Sequence, residues 1–184
     1  MHKLVLAALL VVVNSACAQN NEALDCKYTD RVIEDIAIPL DGKLVEKRES
    51  VDPNSDEPVY TYTILFQNQD SMKVEQKFCD MYNMSVTYRM KHLDRKEFDA
   101  SLNRIKQIAD NAKQDYQLKA PLSAIVDMTM NQRGLSLGAA FDVGLPSQAA
   151  SSNENVEHSV SFKPLPTSEA YAAELGFYFG IGGE

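Results

Sequence analysis

The sequence is short of the residues that metal sites and nucleic-acid surfaces require. It has three histidines and three cysteines in 184 residues, and only His92 and His158 lie beyond the N-terminal leader described below. Two histidines are too few for a typical zinc site. Clustered positive charge is also scarce: Lys91, Arg95 and Lys96 come closest, but acidic residues interrupt them. Because phosphate-backbone binding depends on clustered cations, and the formal net charge is −8, we expect no nucleic-acid binding.

Beyond its N-terminus, the sequence also lacks any apolar stretch near the roughly 20 residues that a membrane-spanning helix needs. The exception is the unbroken apolar stretch at 4–13, which follows Lys3 and precedes small residues at 16–18. This is the pattern of a secretory signal peptide over residues 1–18. We therefore expect a single mature domain at 19–184, periplasmic or secreted, with no integral membrane segment. Loss of the leader, with its one charged residue, would make the net charge −9.

Cys17 leaves an alternative open. It would be the lipidated cysteine of a bacterial lipoprotein, since Ser15 and Ala16 are acceptable small residues before it. A lipobox normally has Leu, Val or Ile three positions before the cysteine, where this sequence has Asn14. Soluble export fits the residues around Cys17 better than lipidation of Cys17 does. The alternative is a membrane-anchored envelope lipoprotein with a structural role.

Removal of the leader would leave two cysteines, Cys26 and Cys79. An even pair in an oxidising compartment predicts a disulfide between them. In the chain-entropy model, a disulfide that closes a loop of this length stabilises the folded protein by about 4 kcal/mol. Two free cysteines in an apolar core are the alternative.

Three consecutive segments have strand patterns. Residues 59–66 are rich in β-branched and aromatic residues, and residues 72–79 and 84–90 alternate between apolar and polar side chains. Turn-forming residues at 68–71 separate the first two segments. We predict a meander of three antiparallel strands with one buried face and one solvent-exposed face.

The segment after the meander has a helical pattern. Its apolar residues recur at steps of three and four, which places them on one stripe of a helix: Phe98, Leu102, Ile105, Ala109, Ala112 and Tyr116. Asp94 and Glu97 fit a reciprocal capping box at its start. We predict a long amphipathic helix over residues 94–116, packed on the apolar face of the sheet.

The C-terminal third has weaker patterns. Residues 122–143 fit either a β-hairpin or a short helix, and we favour the hairpin. A flexible loop is predicted at 146–157, a strand at 158–162, and a short helix capped at Thr167 or Ser168 and ending at Leu175. The predicted fold class is therefore α+β: an antiparallel β-meander, one long amphipathic helix on one face, and an irregular C-terminal third.

Residues 134–138 match the Gly-x-Ser-x-Gly nucleophile elbow of the α/β-hydrolases. Ser136 would be the nucleophile, and Asp142 and His158 follow in the order of that fold. The chain lacks the series of βα units that positions such a serine, and the acid would lie only six residues after it. A small serine hydrolase using Ser136 is thus a second alternative, and we expect no enzymatic activity.

Residues 52–56 match the opening of a calcium loop, in which alternate oxygens converge on the ion. The loop requires Gly at its sixth position and a bidentate Glu at its twelfth, but the sequence has Glu57 and Thr63 there. A polar turn within an exposed loop at 49–58 is the better interpretation. Methionine pairs at 81/84 and 128/130 suggest Cu(I) ligands, but methionine more often fills core gaps. We expect no metal and no cofactor.

Phe177, Tyr178 and Phe179 stand among glycines near the end of the sequence. Such a segment fits either a strand that closes a sheet edge or an exposed element that docks on a partner. The three aromatics are therefore our partner-docking candidates. Together with the leader and the small acidic domain, they predict an exported, non-enzymatic binding protein with a protein partner, of the periplasmic inhibitor, immunity or accessory factor type.

Overall fold

The computed structural model describes residues 36–79, 81–111, 137–145 and 156–182. They form seven strands and one helix: β1 (Gly42–Val51), β2 (Pro58–Phe66), β3 (Ser71–Phe78), β4 (Tyr82–Met90), α1 (Arg95–Asn111), β5 (Phe141–Leu145), β6 (Val156–Pro164) and β7 (Ala173–Ile181). All seven strands belong to one sheet in the order β1-β2-β3-β4-β7-β6-β5. Every neighbouring pair is antiparallel, and β1 and β5 are the two edges.

The predicted meander is confirmed, because β2, β3 and β4 coincide with the three strand patterns of the sequence. The β2–β3 turn places Gln69 at a φ of 68°. It is closed by hydrogen bonds from the amide of Phe66 to the carbonyl of Asp70 and from the amide of Gln69 to the carbonyl of Phe66. Along each strand, alternate side chains are buried, as expected for a sheet with one covered face.

The predicted α+β class is wrong. The described residues form mostly an antiparallel seven-stranded sheet with one short helix. The helix α1 has 17 residues, and residues 112–116 of the predicted helix at 94–116 lie outside the described residues. The C-terminal third, expected to be irregular, supplies β5, β6 and β7, and β1 adds a strand that the sequence pattern did not indicate.

Within the predicted helix at 94–116, the helical conformation is confirmed for residues 95–111. Asp94 accepts a hydrogen bond from the amide of Glu97 at 2.9 Å, which caps the first turn. The capping box is not reciprocal, since the carboxylate of Glu97 instead accepts a hydrogen bond from Asn68 Nδ2 at 2.8 Å. The apolar stripe of α1 is buried against the sheet, and the ring of Phe98 meets that of Phe162 edge-on, with centroids 5.6 Å apart.

The predicted short helix at 167–175 is wrong. Residues 167–172 form a turn and bends, and β7 begins at Ala173. β7 is hydrogen-bonded to β4 on one side and to β6 on the other, so tertiary pairing overrides the local helical signal. Its core-facing side chains are Ala173, Leu175, Phe177 and Phe179.

The remaining C-terminal predictions are resolved in part. The strand predicted at 158–162 is confirmed as β6. The loop predicted at 146–157 ends earlier, because β6 begins at Val156, and 146–155 lie outside the described residues. Of the segment 122–143, only its end is described, as a turn at 137–139 and the start of β5, which pairs with β6.

Candidate binding groove

The face of the sheet opposite α1, called the open face here, carries mainly polar side chains. Directly paired residues of antiparallel strands lie on the same face, so the register arranges the open-face side chains in rows across the strands. One row crosses six strands and consists of Arg48, Thr61, Glu75, Ser85, Tyr178 and Ser159. The next row runs from Ser50 through Lys77 and Asn83 to Gly180.

Most residues of these two rows line the floor of an open groove of about 490 Å³, but Thr61, Ser159 and Gly180 do not. The β1–β2 loop contributes to its wall through Asp52 and Pro53. The groove brings together residues from β1, β2, β3, β4 and β7, so its lining spans much of the sequence.

The wall of the groove is fixed by a cation. Lys77 Nζ lies 3.1 Å from a carboxylate oxygen of Asp52 and 2.9 Å from one of Glu57. Glu57 and Asp52 raise the pKa of Lys77 by hydrogen bonding to its ammonium group. The backbone amide of Asn54 and the Lys77 ammonium lower the pKa of Asp52. The loop at 52–57 is thus tied to β3, which keeps the groove in one shape.

The floor of the groove is fixed by Tyr178. Its hydroxyl donates a hydrogen bond to Asn83 Oδ1 at 2.7 Å. A Cβ atom at Gly180 would lie 2.8 Å from Tyr178 Oη and 2.9 Å from Asn83 Oδ1, so only glycine leaves room for this arrangement. Burial, with a contribution from the negative charge of Glu157, raises the pKa of Tyr178. The hydroxyl is therefore a neutral donor near neutral pH.

Arg48 differs from the other charged residues of the groove. Lys77 is bound to the loop carboxylates, and Glu75 forms an ion pair with Lys73 at 2.9 Å. In the described part of the chain, the guanidinium of Arg48 has neither an ion pair nor a hydrogen bond. The groove thus has an uncompensated cation on β1 and a fixed tyrosine on β7, in the same row of the sheet.

A second polar cluster, here called the Asp70 cluster, lies on the covered side of the sheet. The Asp70 carboxylate is 1% exposed and accepts hydrogen bonds from Tyr88 Oη at 2.8 Å, the Lys91 amide at 2.7 Å and Asn68 Nδ2 at 2.7 Å. Arg104 of α1 reaches it at 3.2 Å and also contacts the Tyr88 hydroxyl. Burial raises the pKa of Tyr88 well above its ordinary value. These contacts tie α1 to the sheet, so we assign the cluster a structural role.

The structure separates the three predicted docking residues. Phe177 and Phe179 are 3% and 1% exposed and belong to the core, so their side chains are not available to a partner. Their burial follows from the alternation of β7, which turns every second side chain towards α1. Of the three, Tyr178 alone is on the open face and stays a docking candidate.

Cys79 is buried and disulfide-bonded. Cys26 lies outside the described residues, so the Cys26–Cys79 pairing stays a prediction. Cys17, of the lipoprotein alternative, also lies outside them.

The hydrolase pattern is not assembled by the described residues. Ser136 lies outside them. Asp142 pairs with Ser161 and His158 pairs with Leu145, so the two proposed catalytic residues are three positions apart along the β5–β6 ladder. At about 3.3 Å per residue, the backbone separates them by about 10 Å.

The candidate metal patterns are not supported where they are described. The carboxylate of Asp52 is used by the Asn54 amide and Lys77, and the loop closes on itself with Asp56 at a φ of 55°. Met84 belongs to the core, whereas Met128 and Met130 lie outside the described residues. Within 36–79, 81–111, 137–145 and 156–182, no group of three or more His, Cys, Asp or Glu side chains could hold a metal ion.

The sequence analysis missed Arg48, Lys77, Asn83 and Ser85 as site residues. They come from three different strands, β1, β3 and β4. The alternation of β3 and β4 places the last three on the polar face, but only the register shows that they line up with β1 and β7.

The helix in the described part of the chain is not long and apolar enough to cross a membrane.

No family model, curated protein or solved structure matches this chain.

Proposed function

We propose that the mature protein is an exported, non-enzymatic binding protein that holds a protein partner in the groove of its open face. It would be of the periplasmic inhibitor, immunity or accessory factor type. The leader at 1–18 supports export. The groove supports binding, since its residues supply hydrogen bonds and shape on a paired sheet.

The observation that carries the proposal is the placement of Arg48 and Tyr178. Arginine and tyrosine are enriched among the residues that dominate the energy of protein interfaces. Here they lie in one row of the sheet, and the Tyr178 ring is held in place by Asn83. A surface that is already ordered loses little conformational entropy on binding, which favours affinity.

Charge also supports the groove as the contact surface. The expected mature chain has a net charge of −9. The four charged residues that line the groove are two cations, Arg48 and Lys77, and two anions, Asp52 and Glu75. The groove is therefore locally neutral on an acidic molecule, so an acidic partner is repelled less there than over the rest of the surface.

The test is a capture experiment with the protein lacking residues 1–18, immobilised and exposed to the periplasmic or secreted fraction of its native source. We expect a specific partner on the wild type and on Lys163→Ala, and its loss on Arg48→Ala. Lys163 is the matched control, because it is an exposed cation of β6 that does not line the groove. Retention of no protein, or equal retention by Arg48→Ala, would refute the proposal.

A further inference from the structure

The positive charge of Arg48 is available to an anion. Arg48 is exposed on the open face of β1, and its guanidinium makes no ion pair or hydrogen bond with the described residues. Two carboxylates lie near it on this face, one two positions earlier on β1 and one in the same row. Both are already bonded: Glu46 accepts a hydrogen bond from Thr63 Oγ1 at 3.1 Å, and Glu75 is paired with Lys73 at 2.9 Å.

The groove also supplies hydrogen-bond donors that have no acceptor. Ser50 lies two positions after Arg48 on the same face of β1, so the two side chains begin about 7 Å apart. Within the described part of the chain, the hydroxyls of Ser50 and Ser85 form no hydrogen bond. Asn83 accepts from Tyr178 through Oδ1, and its Nδ2 group finds no acceptor in that same part. Together with Arg48, these donors favour a ligand that supplies acceptors.

The charges of the groove fit a ligand with a single negative charge. Lys77 is already paired with Asp52 and Glu57, at 3.1 Å and 2.9 Å. A ligand with several negative charges would bring its excess charge into the same groove as Asp52 and Glu75, and like charges repel. One carboxylate on Arg48 leaves no such excess.

The bound group is a side chain and not a chain terminus. Proteins capture a terminal carboxylate in a nest of successive backbone amides. The floor of this groove is built from strands, in which successive amides point to alternate edges in the plane of the sheet. No row of amides therefore faces the groove from its floor, and the donors there belong to side chains.

We infer that the partner places one Asp or Glu side chain in the groove, with its carboxylate paired to Arg48 and next to the Ser50 hydroxyl. Arginine and a carboxylate can form two parallel hydrogen bonds, which fix the orientation of the bound side chain. Val59, which pairs with Ser50, and Pro53 line the same groove, so we expect apolar neighbours around the acid. This inference rests on the proposed function and names the chemistry by which the partner is recognised.

Two substitutions at Arg48 test the role of its charge, with the captured native partner as the probe. Arg48→Lys keeps the positive charge and loses the paired hydrogen bonds, whereas Arg48→Gln removes the charge and keeps a donor. Biolayer interferometry should show about fivefold tighter binding by Arg48→Lys than by Arg48→Gln. Lys163→Ala, which removes an exposed cation outside the groove, should bind like the wild type. Equal affinity of the two Arg48 variants would overturn the inference.

Cross-linking identifies the group that lies against position 48. A carbodiimide joins a primary amine to a neighbouring carboxylate as an amide and takes up the water that is lost, and it does not join arginine. The complex of Arg48→Lys with the native partner should therefore contain an amide bond between position 48 and an Asp or Glu side chain of the partner. The wild-type complex is the control and should lack this bond. Mass spectrometry of the digested complexes identifies the joined residues.

The outcomes separate this inference from the proposed function. If Arg48→Ala loses the partner but position 48 joins the partner's C-terminal carboxylate, or no carboxylate of the partner, only the inference is overturned. Loss of binding after phosphatase treatment of the partner would also overturn it, because the bound group would then be a phosphate. If no native partner is retained, the proposed function is refuted and this inference is refuted with it.

Discussion

The Asp70 cluster allows a quantitative prediction for the substitution Asp70→Asn. The carboxylate accepts four hydrogen bonds, from Tyr88, Asn68, the Lys91 amide and Arg104. Asparagine keeps the size of the side chain but replaces one acceptor oxygen with an NH₂ donor. Whichever way the amide is turned, that donor faces at least one of the former donors, so a buried polar group loses its partner.

The expected cost follows from burial. Removing one partner of a buried ion pair typically costs 3–5 kcal/mol because the other charge is left uncompensated. Burial alone would lower the pKa of Arg104, but its hydrogen bonds to Asp41 and Tyr88 outweigh that effect and raise it. Asp41, 2.5 Å from Arg104, would remain. We therefore expect the lower end of the range, about 3 kcal/mol of unfolding free energy, or a melting temperature lower by about 6–12 °C.

Asp41→Asn is the matched control, because it removes a carboxylate from the same arginine. The Asp41 side chain is 42% exposed, against 1% for Asp70, and water compensates an exposed charge. Its expected cost is about 1 kcal/mol or less. Urea unfolding followed by circular dichroism measures both variants. If Asp70→Asn destabilises the protein no more than Asp41→Asn, the reasoning from burial is refuted.

Two further predictions concern the groove wall and the leader. The pKa of Asp52 is lowered in the folded state, so the stabilisation of the 52–57 loop by Asp52 should be present at neutral pH and be lost as the pH falls through that pKa. The pKa of Lys77 is raised, so the contact between Lys77 and Asp52 should persist up to strongly alkaline pH. Amide exchange of residues 52–57 between about pH 6 and pH 2 would measure the acid limb, and unchanged protection would contradict it. Protein purified from its native source should begin at Gln19 and contain no free thiol when denatured without reductant, as intact mass and thiol titration would show; an acylated Cys17 or two reactive thiols would contradict this.

The sequence predicts the central part of the fold because there the local and global signals agree. In β2, β3 and β4, alternation, β propensity and turn residues all favour strands. At α1, the Asp94 cap and the stripe from Phe98 to Ile105 predict both the start of the helix and the face that it buries. In these segments, the buried side chains are apolar and recur at the regular spacing of a strand or a helix, which is visible in the sequence.

The fold prediction fails where pairing and not burial determines the strand. β1 leaves no apolar period because most of its side chains are exposed on both faces, and its strand conformation depends on hydrogen bonds to β2. A helix-capping pattern near Thr167 precedes β7 in the sequence. β7 is nevertheless a strand, because it is hydrogen-bonded to β4 on one side and to β6 on the other. The alternation of Leu175, Phe177 and Phe179 is visible in the sequence, but the helical interpretation of the preceding residues concealed it.

The groove could not be predicted for a related reason: the residues of a row across a sheet have no regular spacing in the sequence. Arg48 and Tyr178 are 130 positions apart and share a row only because four successive strand registers align them. A shift of one residue in any register would move one of the two to the covered face. The same registers also bury the core, so the packing that stabilises the domain fixes the groove as well.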